Sequence, residues 1–183
     1  MIAAEGKHIT ESHYLDCFNG YEFPYNIHFS SGNETDPLSL ISNLKRDWEN
    51  KGFSYDDGDL AFIVLDLDND SIKAEKLGKL INDNKDIGFI ISNPSIEVWF
   101  LFHFQKNPKR YSNQTDLIKE LCNFIKDYEK NGYYNKTLFP KTKEAIINSR
   151  EKAHQQDKIY YWPSIDCNPR TDMHEIVSII SNK

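Results

Sequence analysis

The sequence predicts an α/β protein: a mostly parallel central sheet with helices on both faces and a helical C-terminal extension. Three observations predict the layered sheet. Strand-like and helix-like segments alternate through about residue 104, the order that gives parallel strands with right-handed crossovers. The run "LAFIVLDLDND" (60–70) opens apolar on both faces, as a strand buried between two helical layers must be. "DPLSLISNLKRDWENKG" (36–52) carries both the start and the stop signals of a helix.

Taken in order, "IAAEG" reads as a short buried strand ending in a turn, and "TESHYLDCF" as a helix with Thr10 at its N-cap and His13, Tyr14 and Phe18 near one face. "EFPYNIHFSSG" suits a second strand, in which Ile27 and Phe29 alternate with polar neighbours. In the next helix Asp36 is the cap, Pro37 the first residue and Gly52 the stop. Leu38, Leu40, Ile41, Leu44 and Trp48 form its apolar stripe. "LAFIVLDLD" is the third strand, "SIKAEKLGKLINDNK" a helix starting at Ser71, and "DIGFIISNP" the fourth strand. "IEVWFLFHF" must be buried. Period 2 and period 3.6 fit it almost equally, and Pro94 just ahead favours a helix.

"QKNPKRYSNQ" is a polar boundary, which divides an α/β core (1–104) from a helical extension (105–183) packed on it as one compact unit. The extension reads as "TDLIKELCNFIKDYEK", a helix capped by Thr115; "GYYNKTLF", a loop or ordered insert; "PKTKEAIINSREKAHQ", a helix starting near Pro140; and "TDMHEIVSIISNK", a closing helix capped by Thr171 or Asp172.

The composition bounds the function. Hydrophobic content of 39% with 13% aromatic residues supports a packed core. No apolar run approaches the roughly 20 residues that cross a bilayer, and "MIAAEGKHIT" lacks the apolar core of a secretory signal. Cys17, Cys122 and Cys167 are odd in number and form no Cys-x-x-Cys pair. Reduced thiols in the cytoplasm are the simple expectation. Net charge is −10 over residues 1–100 and +4 over 101–183. An acidic front with a basic back suits a protein that concentrates metal-binding carboxylates in one place and meets a polyanion with another, although charge on solvated faces also fluctuates without purpose.

Ligands of an open parallel sheet sit beyond the carboxyl ends of the strands. Three strands deliver acids there: Glu5 after the first, Asp66 and Asp68 after the third with Asp70 one step on, and Glu97 after the fourth. Asp66 and Asp68, two apart in extended backbone, point the same way. Clustered carboxylates repel unless a cation neutralises them. Mg²⁺ (or Mn²⁺) suits such hard oxygen donors and leaves room for a phosphate. The competing reading is that Asp68 and Asp70 only cap the helix at Ser71. An EF-hand loop fits poorly, because its sixth position falls on Ser71 and its twelfth on Leu77. His103, in an apolar run, is a core histidine or a general base. Lys7, Lys136, Lys141, Lys143, Arg150 and Lys152 are placed to track a phosphate backbone or simply to solubilise helices.

"EGKHITESHY", "VLDLD", "SNPSIEVWFLFHF" and "YNK" (134–136), in this order and spacing, resemble the RloB family. The family's opening usually reads Glu-Gly-x-Thr-Glu; here two extra residues separate Lys7 from Thr10. The resemblance implies a Toprim-like fold, with Glu5 in acid–base chemistry or the metal site and Asp66 and Asp68 holding Mg²⁺. It also implies that Glu11, Asn93, Glu97, His103 and Lys136 lie near the site. It further implies an antiviral abortive-infection effector that cleaves RNA, tRNA included, or DNA, under an ABC-type ATPase encoded nearby. A non-catalytic subunit docking on that ATPase is the second expectation. A haloacid-dehalogenase-like phosphatase is the third, set back because its Asp-x-Asp belongs on a first strand.

Overall fold

The structure, a computed structural model, describes residues 1–7 and 9–181. In chain order its main elements are β1 (Ile2–Ala4), α1 (Ile9–Leu15), α2 (Pro37–Lys51), β2 (Phe62–Asp66), α3 (Ser71–Asp83), β3 (Gly88–Asn93), α4 (Glu97–Phe102), α5 (Gln114–Leu121), α6 (Asn135–Leu138), α7 (Thr142–Asp157), β4 (Arg170–Thr171) and α8 (Met173–Ser181).

The sheet is open, in the order β1-β2-β3-β4. The first three strands are parallel, with Ala4 beside Val64 and Val64 beside Ile90. β4 closes the far edge antiparallel, pairing Thr171 with Ser92. Side chains alternate between two faces as the pleat requires. Ile2, Ala4, Val64 and Ile90 pack with α1, α4, α5, α7 and α8. Ala3, Ile63, Leu65, Phe89 and Ile91 pack with α2 and α3. This two-sided burial is why β2 and β3 read as near-continuous apolar runs.

α2 forms as its signals dictate. The Asp36 carboxylate accepts the Ser39 N–H at 3.1 Å, Pro37 takes the first position, and Gly52 ends the helix at φ +69°. Its buried stripe is Leu40, Ile41 and Leu44; Leu38 points outward, 52% exposed. "IEVWFLFHF" resolves as helix, and α4 is buried on all sides.

Four expectations are corrected. "EFPYNIHFSSG" is not a strand. β1 is only three residues long, so the segment finds a single parallel bridge, Ile2 to Phe29, held by Ile2 N–H to His28 O and Ser30 N–H to Ile2 O, each 2.8 Å. Thr10 lies inside α1 rather than capping it, and its hydroxyl donates instead to Asn131 Oδ1 at 3.1 Å. Asn113, not Thr115, caps α5, accepting the Asp116 N–H. That helix stops at Leu121, and the turns after it bring the Tyr128 hydroxyl under Glu97. The segment after residue 104 is not purely helical, since it supplies β4. The last two residues of the expected closing helix lie outside the described residues.

Candidate active site

Two strand ends and one helix build an acidic cleft at the carboxyl edge of the sheet. β1 delivers Glu5, and Gly6 turns the chain away at φ +64°. β2 delivers Asp66. The next turn holds Asp68 and Asn69 both at φ +57°, in the left-handed region that costs a non-glycine residue about 1–3 kcal/mol. Asparagines hold that turn in place. Asn69 N–H donates to Asn93 Oδ1 (3.1 Å), the Asn69 amide donates to the carbonyls of Tyr111 and Ser112, and Asn168 donates to Asn69 Oδ1 (2.6 Å). α1 adds Glu11. The cleft, about 380 Å³, is lined by these acids with Lys7 and Lys130 at its rim.

The site is dominated by repulsion. Asp66 is half-buried, and its carboxyl is held well above the usual range, by burial first and then by the charges of Glu97, Glu11, Asp68 and Glu5. Glu11 is pushed up to about 7, again by burial first, with Glu97 and Glu5 adding to it and Lys130 opposing. Glu97 sits one layer deeper and fully buried, accepting from Ser95 Oγ (2.6 Å), Gln114 Nε2 (3.0 Å) and Tyr128 OH (3.3 Å), all neutral donors. Among the described residues, only Glu5 and Asp68 of these acids have a cation at contact distance. Lys73 Nζ lies 3.1 and 3.0 Å from the two Glu5 oxygens and 3.2 Å from Asp68 Oδ2.

The donor set fits a divalent cation in its chemistry. It consists of hard oxygens in excess of the positive charge that faces them, and an ammonium already stands as the cation between two of them. Among the described residues, no three His, Cys, Asp or Glu side chains converge on one point as an ion's ligands do.

Several expected site residues lie elsewhere. Asp70 is the cap of α3; its Oδ1 accepts the N–H groups of Ile72 (2.8 Å) and Lys73 (3.1 Å), which accounts for that carboxylate without a metal. The Asn93 amide is tied to the backbone of Asn69 and Cys167, so it braces the site from behind. His103 is a core histidine. Its Nδ1 meets Trp99 O and its Nε2 the Tyr14 hydroxyl, and burial pushes it down to about 4. Lys136 is exposed on α6, while Lys130 takes the place at the cleft expected for it. Three residues went unnoticed in the sequence: Lys73, Lys130 and Asn69. Lys73 did leave a signal, because a lysine in the first turn of a helix faces the positive end of the dipole and needs acidic company.

The fold and site define a three-layered α/β protein with a carboxylate cluster at the carboxyl ends of its strands, where open parallel sheets bind their ligands. This chain belongs to the RloB-like family, whose model, described as RloB-like protein, matches residues 1–180. No curated protein and no solved structure matched it. No helix among the described residues is long and apolar enough to cross a membrane.

Proposed function

We propose that the chain is a Toprim-like, divalent-cation-dependent nuclease, the effector of an antiviral abortive-infection system held in check or delivered by an ABC-type ATPase. The observation that carries this reading is the convergence of Glu5, Glu11, Asp66 and Asp68 on one cleft with more carboxylate than facing cation. Glu5, Asp66 and Asp68 would hold Mg²⁺ or Mn²⁺, which supplies charge stabilisation of the scissile phosphate when bound. Glu11, with a pKa near neutrality, is suited to exchange a proton with the attacking or leaving oxygen. Glu97, its Oε2 held by Ser95 and Gln114, keeps negative potential behind Asp66. Lys7 and Lys130 at the rim meet the flanking phosphates.

The test is cleavage of RNA (tRNA included) and of DNA by purified protein with Mg²⁺ or Mn²⁺. The reading expects cutting of one or the other that Asp66→Ala abolishes. Equal cutting by that variant, or none by wild type either alone or with its ATPase, would overturn it.

A second reading has one observation in its favour. Lys73 already neutralises Glu5 and Asp68 within the chain, so a subunit that only docks on the ATPase needs no ion there. Calorimetric Mn²⁺ titration separates the two: the docking subunit binds none.

A further inference from the structure

We propose that Lys73 is a built-in counter-ion that a divalent cation must displace, so that this one side chain sets the cation affinity of the site. The inference rests on the metal reading above and deepens it. The ammonium contacts both Glu5 oxygens and Asp68 Oδ2 at 3.0–3.2 Å. Its side chain is 15% exposed, against 24% for Glu5. Asp68, 56% exposed, is the outermost acid of the cluster. An ion held at roughly 2.1 Å by the same Glu5 and Asp68 oxygens would lie no more than about 5 Å from the ammonium, where like charges repel in a partly dry site. The two cations therefore exclude each other.

The local backbone permits the exchange. Lys73 sits in the first turn of α3, where the helix dipole disfavours a cation, so among the described residues it is the two carboxylates that hold its head in place. Its own N–H is anchored to Asp70 Oδ1 at 3.1 Å. The side chain can swing out on its four-carbon stem while the cap, and with it the helix start, stays formed. Without an ion, Lys73 spares Glu5 and Asp68 their mutual repulsion; with one, it gives way.

The experiment is calorimetric Mn²⁺ titration of the full chain at neutral pH, together with melting in EDTA, for wild type, Lys73→Met and Lys76→Met. Lys76 pairs with Asp36 on the surface and controls for the change in net charge alone. Expected is Mn²⁺ binding by Lys73→Met about ten-fold tighter or more, with a lower melting temperature in EDTA, and Lys76→Met close to wild type. Binding by Lys73→Met while wild type shows none would support Lys73 as the counter-ion and at the same time favour the docking reading for the wild-type chain. Unchanged or weaker binding by Lys73→Met, or an equal gain in Lys76→Met, overturns it and leaves the metal reading standing. Absence of Mn²⁺ binding in all three overturns both. Lys73→Gln is read in the same way should the methionine variant not fold.

Discussion

Asp66 Oδ1 accepts the backbone N–H of Ile96 at 2.9 Å, so the acid that ends β2 also pins the start of the buried helix α4. One carboxylate therefore has two separable duties. Asp66→Asn keeps an acceptor for Ile96 and removes a charge that four other carboxylates oppose. In EDTA it should melt no lower than wild type, yet it should bind no Mn²⁺. Asp66→Ala leaves the buried Ile96 N–H unpaired and should cost about 1–3 kcal/mol. Chemical denaturation of the two variants side by side is the measurement. An Asn variant as unstable as the Ala variant would mean that the negative charge itself, and not the acceptor, holds α4.

Glu11 gives the site a pH signature. Its folded pKa of about 7 lies above its ordinary 4.5, so between those values the folded chain holds a proton that the unfolded chain releases. Its contribution is fully present below pH 4.5 and is lost as pH rises through 7. Glu11→Gln cannot lose that proton. Its stability relative to wild type, measured in EDTA, should be smallest near pH 4.5, rise toward pH 7 and level off above. A divalent ion in the cleft should shrink the difference. A flat difference across this range would show that Glu11 ionises as freely folded as unfolded.

Two buried histidines work in the opposite direction. His103 and His174 are each pushed down to about 4 from an ordinary 6.5, chiefly by burial. Their stabilising effect is present above pH 6.5 and lost as pH falls toward 4, because the unfolded chain takes up protons that the folded one refuses. Each can contribute no more than about 3 kcal/mol. In the core, His103 must stay neutral with Nδ1–H donating to Trp99 O and Nε2 accepting from Tyr14. NMR of the ring nitrogens should show that tautomer unchanged from pH 7.5 to 5. Protonation of His103 at pH 6 in folded protein would refute its burial.

The parts of this molecule legible in the sequence are those governed by local rules. Asp36, Pro37 and Gly52 announce α2 because cap, first turn and stop are each decided within a few residues. β2 and β3 announce themselves because burial on two faces leaves their positions apolar up to the carboxyl ends, where Asp66 and Ser92-Asn93 stand. Glu5, Asp66 and Asp68 could be placed together once parallel strands were assumed, since all strand ends then share one edge. The failures are long-range. Whether "IEVWFLFHF" is helix depends on Asp66, thirty residues earlier, reaching Ile96. β4 is two residues long and has no period to read. Lys130 enters the cleft because Asn131 clasps Thr10 across 121 residues, which no spacing rule conveys. Asp70 reads in the sequence as ion ligand or cap, and in the structure its Oδ1 serves as the cap by accepting two backbone N–H groups.

Asn69 couples the aspartate turn to the segments that follow residue 104. It donates to two carbonyls there and accepts from Asn168, while its own φ of +57° suits few residues besides Asn and Gly. Asn69→Ala loses the bonds and keeps the strain, and should cost about 1–3 kcal/mol. Asn69→Gly loses the same bonds but relieves the backbone, so it should be the milder of the two. Both should weaken Mn²⁺ binding, since Asp68 is then fixed less firmly. Urea midpoints rank the variants. A glycine variant less stable than the alanine one would show that the turn is not strained at this position.

The rim lysines predict how a polyanion meets the cleft. Lys130 and Lys7 line it, whereas Lys136, six residues beyond Lys130, stands exposed on α6 outside it. A phosphate contact releases condensed counterions, so each lysine that makes one adds roughly 0.7–0.9 to the slope of log affinity against log salt. Lys7→Ala and Lys130→Ala should each lower that slope by about 1 and weaken binding of RNA or DNA uniformly across sequences. Lys136→Ala should change neither. The measurement is fluorescence anisotropy at several salt concentrations, in EDTA so that cleavage does not intervene. A loss at Lys136 equal to that at Lys130 would move the path of the strand off the cleft and onto α6, where the acidic cluster could not reach its phosphates.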